Sequence, residues 1–126
     1  MLDEAYDLVK YFQLQAGQPV SDIPEFLSPE RVAIRHMWMK DELEEFLDAQ
    51  NLYEQVDAIM DLLYYAIGTL VELGVKPDKL FAMLHEWNMK KLIDICYDEK
   101  GKVLKPEGWK HPDEQIKQIV DQMKTQ

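Results

Sequence analysis

MWMKDELEEFLDAQNLYEQVDAIMDLLYY, residues 37–65, decides how the whole chain is read. Between Asp41 and Asp61 it carries eight acids and no Lys or Arg. The spacing predicts two antiparallel helices with a tight turn at residues 50–52. Asn51 is a good N-cap for the second helix, and Glu54, three residues later, completes a capping box. At 100° per residue, Asp41, Glu44 and Asp48 share one solvated face. Glu42 and Glu45 fall on another face with Arg35, Trp38 and Ala49, beside the apolar stripe Val32, Met39, Leu43 and Phe46. In the second helix Val56, Ile59, Met60, Leu62, Leu63, Ala66, Ile67 and Leu70 point nearly all round the axis, the pattern of a buried helix. Asp57 and Asp61 nevertheless share one line of it, in register with Gly68.

Antiparallel pairing about this turn sets Glu45 opposite Asp57 and Glu42 opposite Asp61. Packed helices lie about 8–10 Å apart, so four carboxylates are expected to converge. Unpaired buried carboxylates are unfavourable and like charges repel, so something must compensate them. A hard divalent cation with oxygen ligands is the simplest answer, with Mg²⁺ the first choice and Mn²⁺ its substitute. Such acids can also face solvent or pair with lysines from elsewhere. Two pairs meeting across a hairpin, one of them on an apolar helix, favour the metal.

Outward from the hairpin, residues 2–15 read as a first helix with Leu2, Tyr6, Val9 and Phe12 (or Gln13) on one side. Residues 16–28 form a turn-rich connection with Gly17, Pro19 and Pro24, long enough to cover something. Ser28 and Pro29 mark a helix start and Gly74 a helix end, which frames a hairpin at 29–74. Pro77 opens a further helix expected to run to about Tyr97 and to include Cys96. Its apolar stripe is Phe81, Leu84, Leu92 and Ile95, with Asn88 in the middle and His85 and Lys91 at the edges. Asn88 and Lys91 are either a satisfied core amide with a surface lysine or a pair offered to a phosphate or base. Residues 98–126 form a basic C-terminal segment. It opens with a turn at Lys100 and Gly101, and its Lys100, Lys102, Lys105 and Lys110 either close over a polyanion or keep a tail soluble. Pro112 starts a last helix, with Ile116, Ile119, Val120 and Met123 on its apolar side.

At 126 residues the chain is expected to be one domain, all-α, an antiparallel bundle of four to five helices. Three tryptophans, seven methionines and 47% apolar residues exclude a disordered chain. The single cysteine permits no internal disulfide. With no long apolar run, a cytoplasmic protein without membrane contact is expected. The net charge of −10 argues against nucleic-acid binding, while a bound cation would still admit a nucleotide. There is no Glu-x-x-His of the di-iron bundles, no Gly-rich Walker loop and no nucleophile motif.

The sequence resembles the all-α nucleotide pyrophosphohydrolases, most closely the MazG-like group labelled phosphoribosyl-ATP pyrophosphohydrolase-like. The resemblance rests on E-x-x-E at Glu42 and Glu45, VDAIMDLLYYAIGTLVELGV, and HEWNMKKL, in that order. The segments AGQPVSDIPEFLSPERVAIRHMWMKDELEEFLDA and DEKGKVLKPEGWKHPD extend it over nearly the whole chain. It implies Mg²⁺-dependent hydrolysis of a nucleoside triphosphate to the monophosphate and pyrophosphate, in a house-cleaning or nucleotide-pool role, by a homodimer or homotetramer. The implied metal ligands are Glu42, Glu45 and Asp61. The family's fourth, a glutamate, falls on Ala58, and Asp57 substitutes from one residue earlier. Glu54 and Asp57 also spell E-x-x-D, but the capping role of Glu54 favours Asp57 with Asp61. Glu42 or Glu45 is the expected general base. Asn88 and Lys91 match an N-x-x-K element, Lys102 and Lys105 are further phosphate candidates, and Arg35 and Trp38 are candidates for phosphate and base. The alternatives are a dUTPase- or dCTPase-like activity of the same superfamily, or a catalytically silent helical oligomerisation module.

Overall fold

A computed structural model describes residues 1–93 and 95–125. Among the described residues the chain forms five α-helices and no strand beyond a single antiparallel bridge between Tyr97 and Val103. It is an all-α protein. The helices are α1 (Leu2–Gln15), α2 (Pro29–Asp48), α3 (Leu52–Leu73), α4 (Asp78–Met89) and α5 (Asp113–Lys124), with a 3₁₀ turn at Lys90–Leu92. They fall into two compact units, Met1–Lys76 and Pro77–Gln126.

In the first unit the ends of α2 and α3 are set by local chemistry. Ser28 accepts the N–H of Arg31 at 3.2 Å, and Pro29 takes the first helical position, where its missing N–H is no loss. Asn51 accepts the N–H of Glu54 at 3.0 Å, a cap worth about 1 kcal/mol. The Glu54 carboxylate reaches back to the N–H of Gln50, one residue beyond the cap, at 2.9 Å. The turn between the two long helices is thereby closed on both sides. Gly74 ends α3 at φ +72°, and a side chain there would strike the carbonyl of Ile23. That carbonyl belongs to the 16–28 connection, which lies over the end of α3: Ser21 and Glu25 donate their N–H groups to the carbonyls of Val71 and Leu73. Helix-end carbonyls that would otherwise lack partners are so satisfied.

The apolar core is small: Tyr6 and Val9 of α1 against Ile67 and Val71 of α3, with Ala5, Val20 and Leu70 at its edge. Gln13, rather than Phe12, is the buried residue of the next turn of α1. The expectation that α3 is buried all round does not hold within one chain. Val56, Ile59, Met60 and Leu63 are exposed, as are Leu43 and Phe46 of α2, because α1 and α2 cover only two sides of α3.

The α2–α3 seam is polar at its far end. Glu72 is buried and takes two hydrogen bonds from Arg31, each 2.9 Å, and one from the Nε of Arg35. Burial alone would raise the Glu72 carboxyl, but the two guanidinium groups outweigh it and hold it below the ordinary carboxylate range. Arg35 also donates to Gln13 Oε1 at 3.1 Å, which ties α1 to the same knot. Gly68 makes the approach possible, since a Cβ there would overlap Gln13 Oε1 and lie 2.9 Å from Arg35 Nη1.

In the second unit α4 packs on α5. The helix ends at Met89, well short of Tyr97, because the following residues are drawn into a hairpin. Leu104 donates to the carbonyl of Cys96 at 2.9 Å, and the Asp98 carboxylate accepts the N–H groups of Lys100 and Lys102, both at 2.9 Å. Cys96 is therefore exposed and outside any helix. Trp109 donates its indole N–H to the carbonyl of Trp87 at 3.2 Å, and the two rings meet edge to face.

The knot at Glu72 yields a prediction. Glu72→Gln leaves two guanidinium groups without their carboxylate and is expected to cost about 3–5 kcal/mol in urea unfolding. Because the folded pKa is depressed, this stabilisation is complete above the ordinary carboxylate range. It is lost as pH falls through the folded value, so wild type and variant should converge in acid. A variant as stable as wild type at neutral pH would remove the knot from its structural role.

Candidate metal and nucleotide site

Following the seam from Glu72 toward the turn, each α2 residue has an α3 partner at fixed register. Arg31 and Arg35 meet Glu72, and Arg35 lies against Gly68. Trp38 packs on Tyr65 with ring centroids 5.7 Å apart. One turn further on, Glu42 and Glu45 come together with Asp61, and oxygens of all three lie within 4.8 Å of one another. Helical geometry explains the set: Glu42 and Glu45 are i,i+3 neighbours on α2, and the register that seats Trp38 on Tyr65 carries Glu42 to Asp61.

The three acids have different surroundings. Glu42 is buried, and its Oε2 has no hydrogen-bond partner, while Glu45 and Asp61 are open to solvent. Burial pushes the Glu42 carboxyl from its ordinary 4.5 up to about 7, helped by a hydrogen bond with Glu45 and by the charges of Glu45, Asp61 and Asp57. Asp61 is raised as well, first by burial and then by Asp57 and Glu45. Asp57 thus acts on the cluster through its charge. It stands outside the three-residue group and lines a neighbouring cleft with Glu44, Glu45, Asp48 and Glu54. Of the four carboxylates expected to converge, three have oxygens within 4.8 Å of one another and Asp57 stands beside them, about 100° round the helix from Ala58, the position that faces α2. Ala58 is almost fully buried there.

A divalent cation fits this set. The donors are hard oxygens, one of them buried without a partner, and two open to solvent would leave sites for water or a phosphate. No other pairing among the described residues relieves the Glu42 oxygen.

A cavity of about 340 Å³ adjoins the seam between the acids and the Glu72 knot, lined by Phe12, Gln13, Gln18, Trp38, Tyr64 and Tyr65, with Arg35 at its base. Trp38 precedes Glu42, and Tyr65 follows Asp61, by four residues, so the aromatic wall stands about 6 Å along the helices from the acids. Trp38 lines the cavity from the helix that carries Glu42 and Glu45. Arg35 is buried on Glu72, Gln13 and the Trp38 ring, 5.0 Å from its centroid, so it frames the cavity and is not free for phosphate. The sequence reading offered Phe12 only to the core and gave Tyr64 and Tyr65 no role, although the LLYY run beside Asp61 was a signal.

The remaining candidates lie on the second unit. Asn88 is exposed, which removes the reading of a satisfied core amide. The Nζ atoms of Lys91 and Lys105 lie 4.8 and 5.2 Å from the Trp109 ring centroid, and Lys102 is exposed in the hairpin.

No single helix among the described residues is long and apolar enough to cross a membrane. No curated protein matches the chain. A family model described as phosphoribosyl-ATP pyrophosphohydrolase matches residues 9–88, well over half of the sequence. This span holds all of α2 and α3 with the acidic cluster, the second half of α1 and nearly all of α4. With its all-helical fold and paired carboxylates on a helical hairpin, the chain belongs to the phosphoribosyl-ATP pyrophosphohydrolase family, within the MazG-like all-α nucleoside triphosphate pyrophosphohydrolase superfamily.

Proposed function

We propose that the protein hydrolyses a nucleoside triphosphate to the monophosphate and pyrophosphate with Mg²⁺, or Mn²⁺ in its place. The observation that carries this reading is the Glu42–Glu45–Asp61 cluster around an unpartnered buried oxygen, one helical turn from an aromatic cavity. Phosphoribosyl-ATP is the family's label, and the substrate is set by the site and not by the fold. Asp57 adds negative charge to the cluster and is the proposed outer ligand. When bound, the cation supplies charge neutralisation to the phosphates and lowers the pKa of water.

The chain's own residues divide the remaining work. Trp38, Phe12, Tyr64 and Tyr65 receive the base, with the amides of Gln13 and Gln18 at hand for its polar edge. Glu45, exposed and hydrogen-bonded to Glu42, takes the proton of the attacking water as its oxygen bonds to the α-phosphorus. The bond from that phosphorus to the β-bridging oxygen breaks, and pyrophosphate leaves. Asn88, Lys91, Lys102 and Lys105 are the proposed phosphate contacts of the second unit.

The exposed apolar face of α3, with Phe46 beside a shallow groove of Val56, Ile59 and Met60, supports a homodimer or homotetramer. Met60→Lys is expected to shift the light-scattering mass toward the monomer; an unchanged mass would place the contact elsewhere.

The reaction is tested by incubating the protein with ribo- and deoxynucleoside triphosphates and Mg²⁺ while measuring pyrophosphate against orthophosphate. Pyrophosphate with the matching monophosphate is expected, and Asp61→Asn should lower turnover at least about a hundredfold with an unchanged helical spectrum. Orthophosphate would mean attack at a different phosphorus. No hydrolysis of any nucleotide would favour a silent helical module.

A second prediction concerns pH. Between about 4.5 and about 7 the folded chain keeps a proton on Glu42 that the unfolded chain has released. Without metal, stability therefore falls as pH rises through this window. Saturating Mg²⁺ should offset the fall, by about 2.7 kcal/mol at a hundred times its Kd, and Glu42→Gln should flatten it. Thermal midpoints in chelator and in Mg²⁺ check this; a flat metal-free profile would contradict it.

A further inference from the structure

The second unit contains a cavity of about 760 Å³, a volume within the range of small-molecule sites. All of its lining except Trp87 lies beyond the family match, which ends at residue 88. Two indoles, Trp87 and Trp109, with Ile93 and Leu104, give it apolar walls. Lys90, Lys105 and Lys110 also line it, against one acid among the described residues, Glu107. In a chain with 24 acids to 14 Lys and Arg, that local excess of positive charge needs a reason.

The lysines are held together by the rings. Lys90 Nζ lies 4.1 Å from the Trp87 centroid, and Lys91 and Lys105 share Trp109. Trp109 is fixed in turn by its N–H bond to the Trp87 carbonyl and by its edge-to-face contact with that ring. Among the described residues, the lysines in ion pairs are Lys10, Lys76, Lys117 and Lys124, so those of the cavity have no carboxylate. Ring quadrupoles offset part of the repulsion between gathered ammonium groups. An anion would offset the rest. A purely inorganic anion leaves the indole and aliphatic walls unused, and an apolar ligand leaves the lysines uncompensated. A planar ring carrying a phosphate uses both.

We propose that this pocket binds a nucleoside phosphate without a metal ion, with the base against Trp87 and Trp109 and the phosphate on Lys90, Lys105 and Lys110. The nucleotide is a product or effector molecule separate from the one hydrolysed, whose base is received on the first unit. The site does not depend on the carboxylate cluster, so its test is made with metal removed.

The experiment uses the full chain with Trp38→Phe, so that of the three tryptophans only Trp87 and Trp109 fluoresce. UMP is titrated in EDTA at low and high salt, with inorganic phosphate in parallel. A saturable change is expected, steeply weakened by salt, at least about tenfold tighter for UMP than for phosphate. Lys90→Gln with Lys105→Gln should weaken it at least about tenfold, Lys105→Arg should retain it, and Glu42→Gln should leave it unchanged. Absence of saturation, equal affinity for phosphate, or indifference to the lysine pair in a variant of unchanged circular dichroism would overturn the proposal. In turnover assays, Lys90→Gln is expected to relieve inhibition by UMP, and a raised KM in that variant would assign the pocket to the substrate and overturn the proposal. Failure here with intact pyrophosphate release would leave the hydrolysis standing.

Discussion

The ion cluster of Arg31, Arg35 and Glu72 fixes what the rest of the first unit depends on, the register between α2 and α3. Buried charge is tolerated only when it is paired with good geometry, so a slip of either helix would strand a carboxylate or a guanidinium in the interior. Gly68 is part of the same constraint, because its missing side chain lets Gln13 and Arg35 close on α3. With that end locked, Trp38 meets Tyr65 and Glu42 meets Asp61 without any attraction between the acids themselves. The acids in fact repel, and the hairpin holds them together against that repulsion.

Along the seam the environment changes in order: paired charge at Glu72, aromatic rings at Trp38 and Tyr65, unpaired acid at Glu42 and Asp61. The order suits a ligand with a flat end and an anionic end once a cation has reversed the sign of the acids. The two units carry groups of opposite charge. The first presents oxygens that call for a cation, and the second gathers lysines on indole rings. A chain of net charge −10 has little long-range attraction for nucleotides, so recognition has to be built locally.

Much of this was legible from residues. The termini of α1, α2 and α3, the two N-caps and the glycine stop follow from short-range chemistry that a sequence displays directly. The E-x-x-E spacing put Glu42 and Glu45 on one face for the same reason. The end of α4 was not legible, because a helical pattern through residue 97 competes with a hairpin whose partner strand comes later in the chain. Nor was the role of Arg35, which sequence reading offered to phosphate, since a guanidinium on the face of two glutamates gives no sign that Glu72, 37 residues away on another helix, has claimed it. Phe12 entered the sequence reading as a core candidate, and only the fold turns it toward Tyr64 and Trp38.

The sequence by itself determined the helices, their caps and the identity of the acids, because each depends on contacts within a turn or two of one helix. Tertiary structure alone decided which carboxylates converge and how deeply each is buried. Asp57 and Asp61 differ little in pattern, yet packing against α2 turns Asp61 into the cluster and gives the facing place beside it to Ala58. Burial, unlike helical phase, is a property of what the other helices cover, and it is burial that leaves one Glu42 oxygen without a partner.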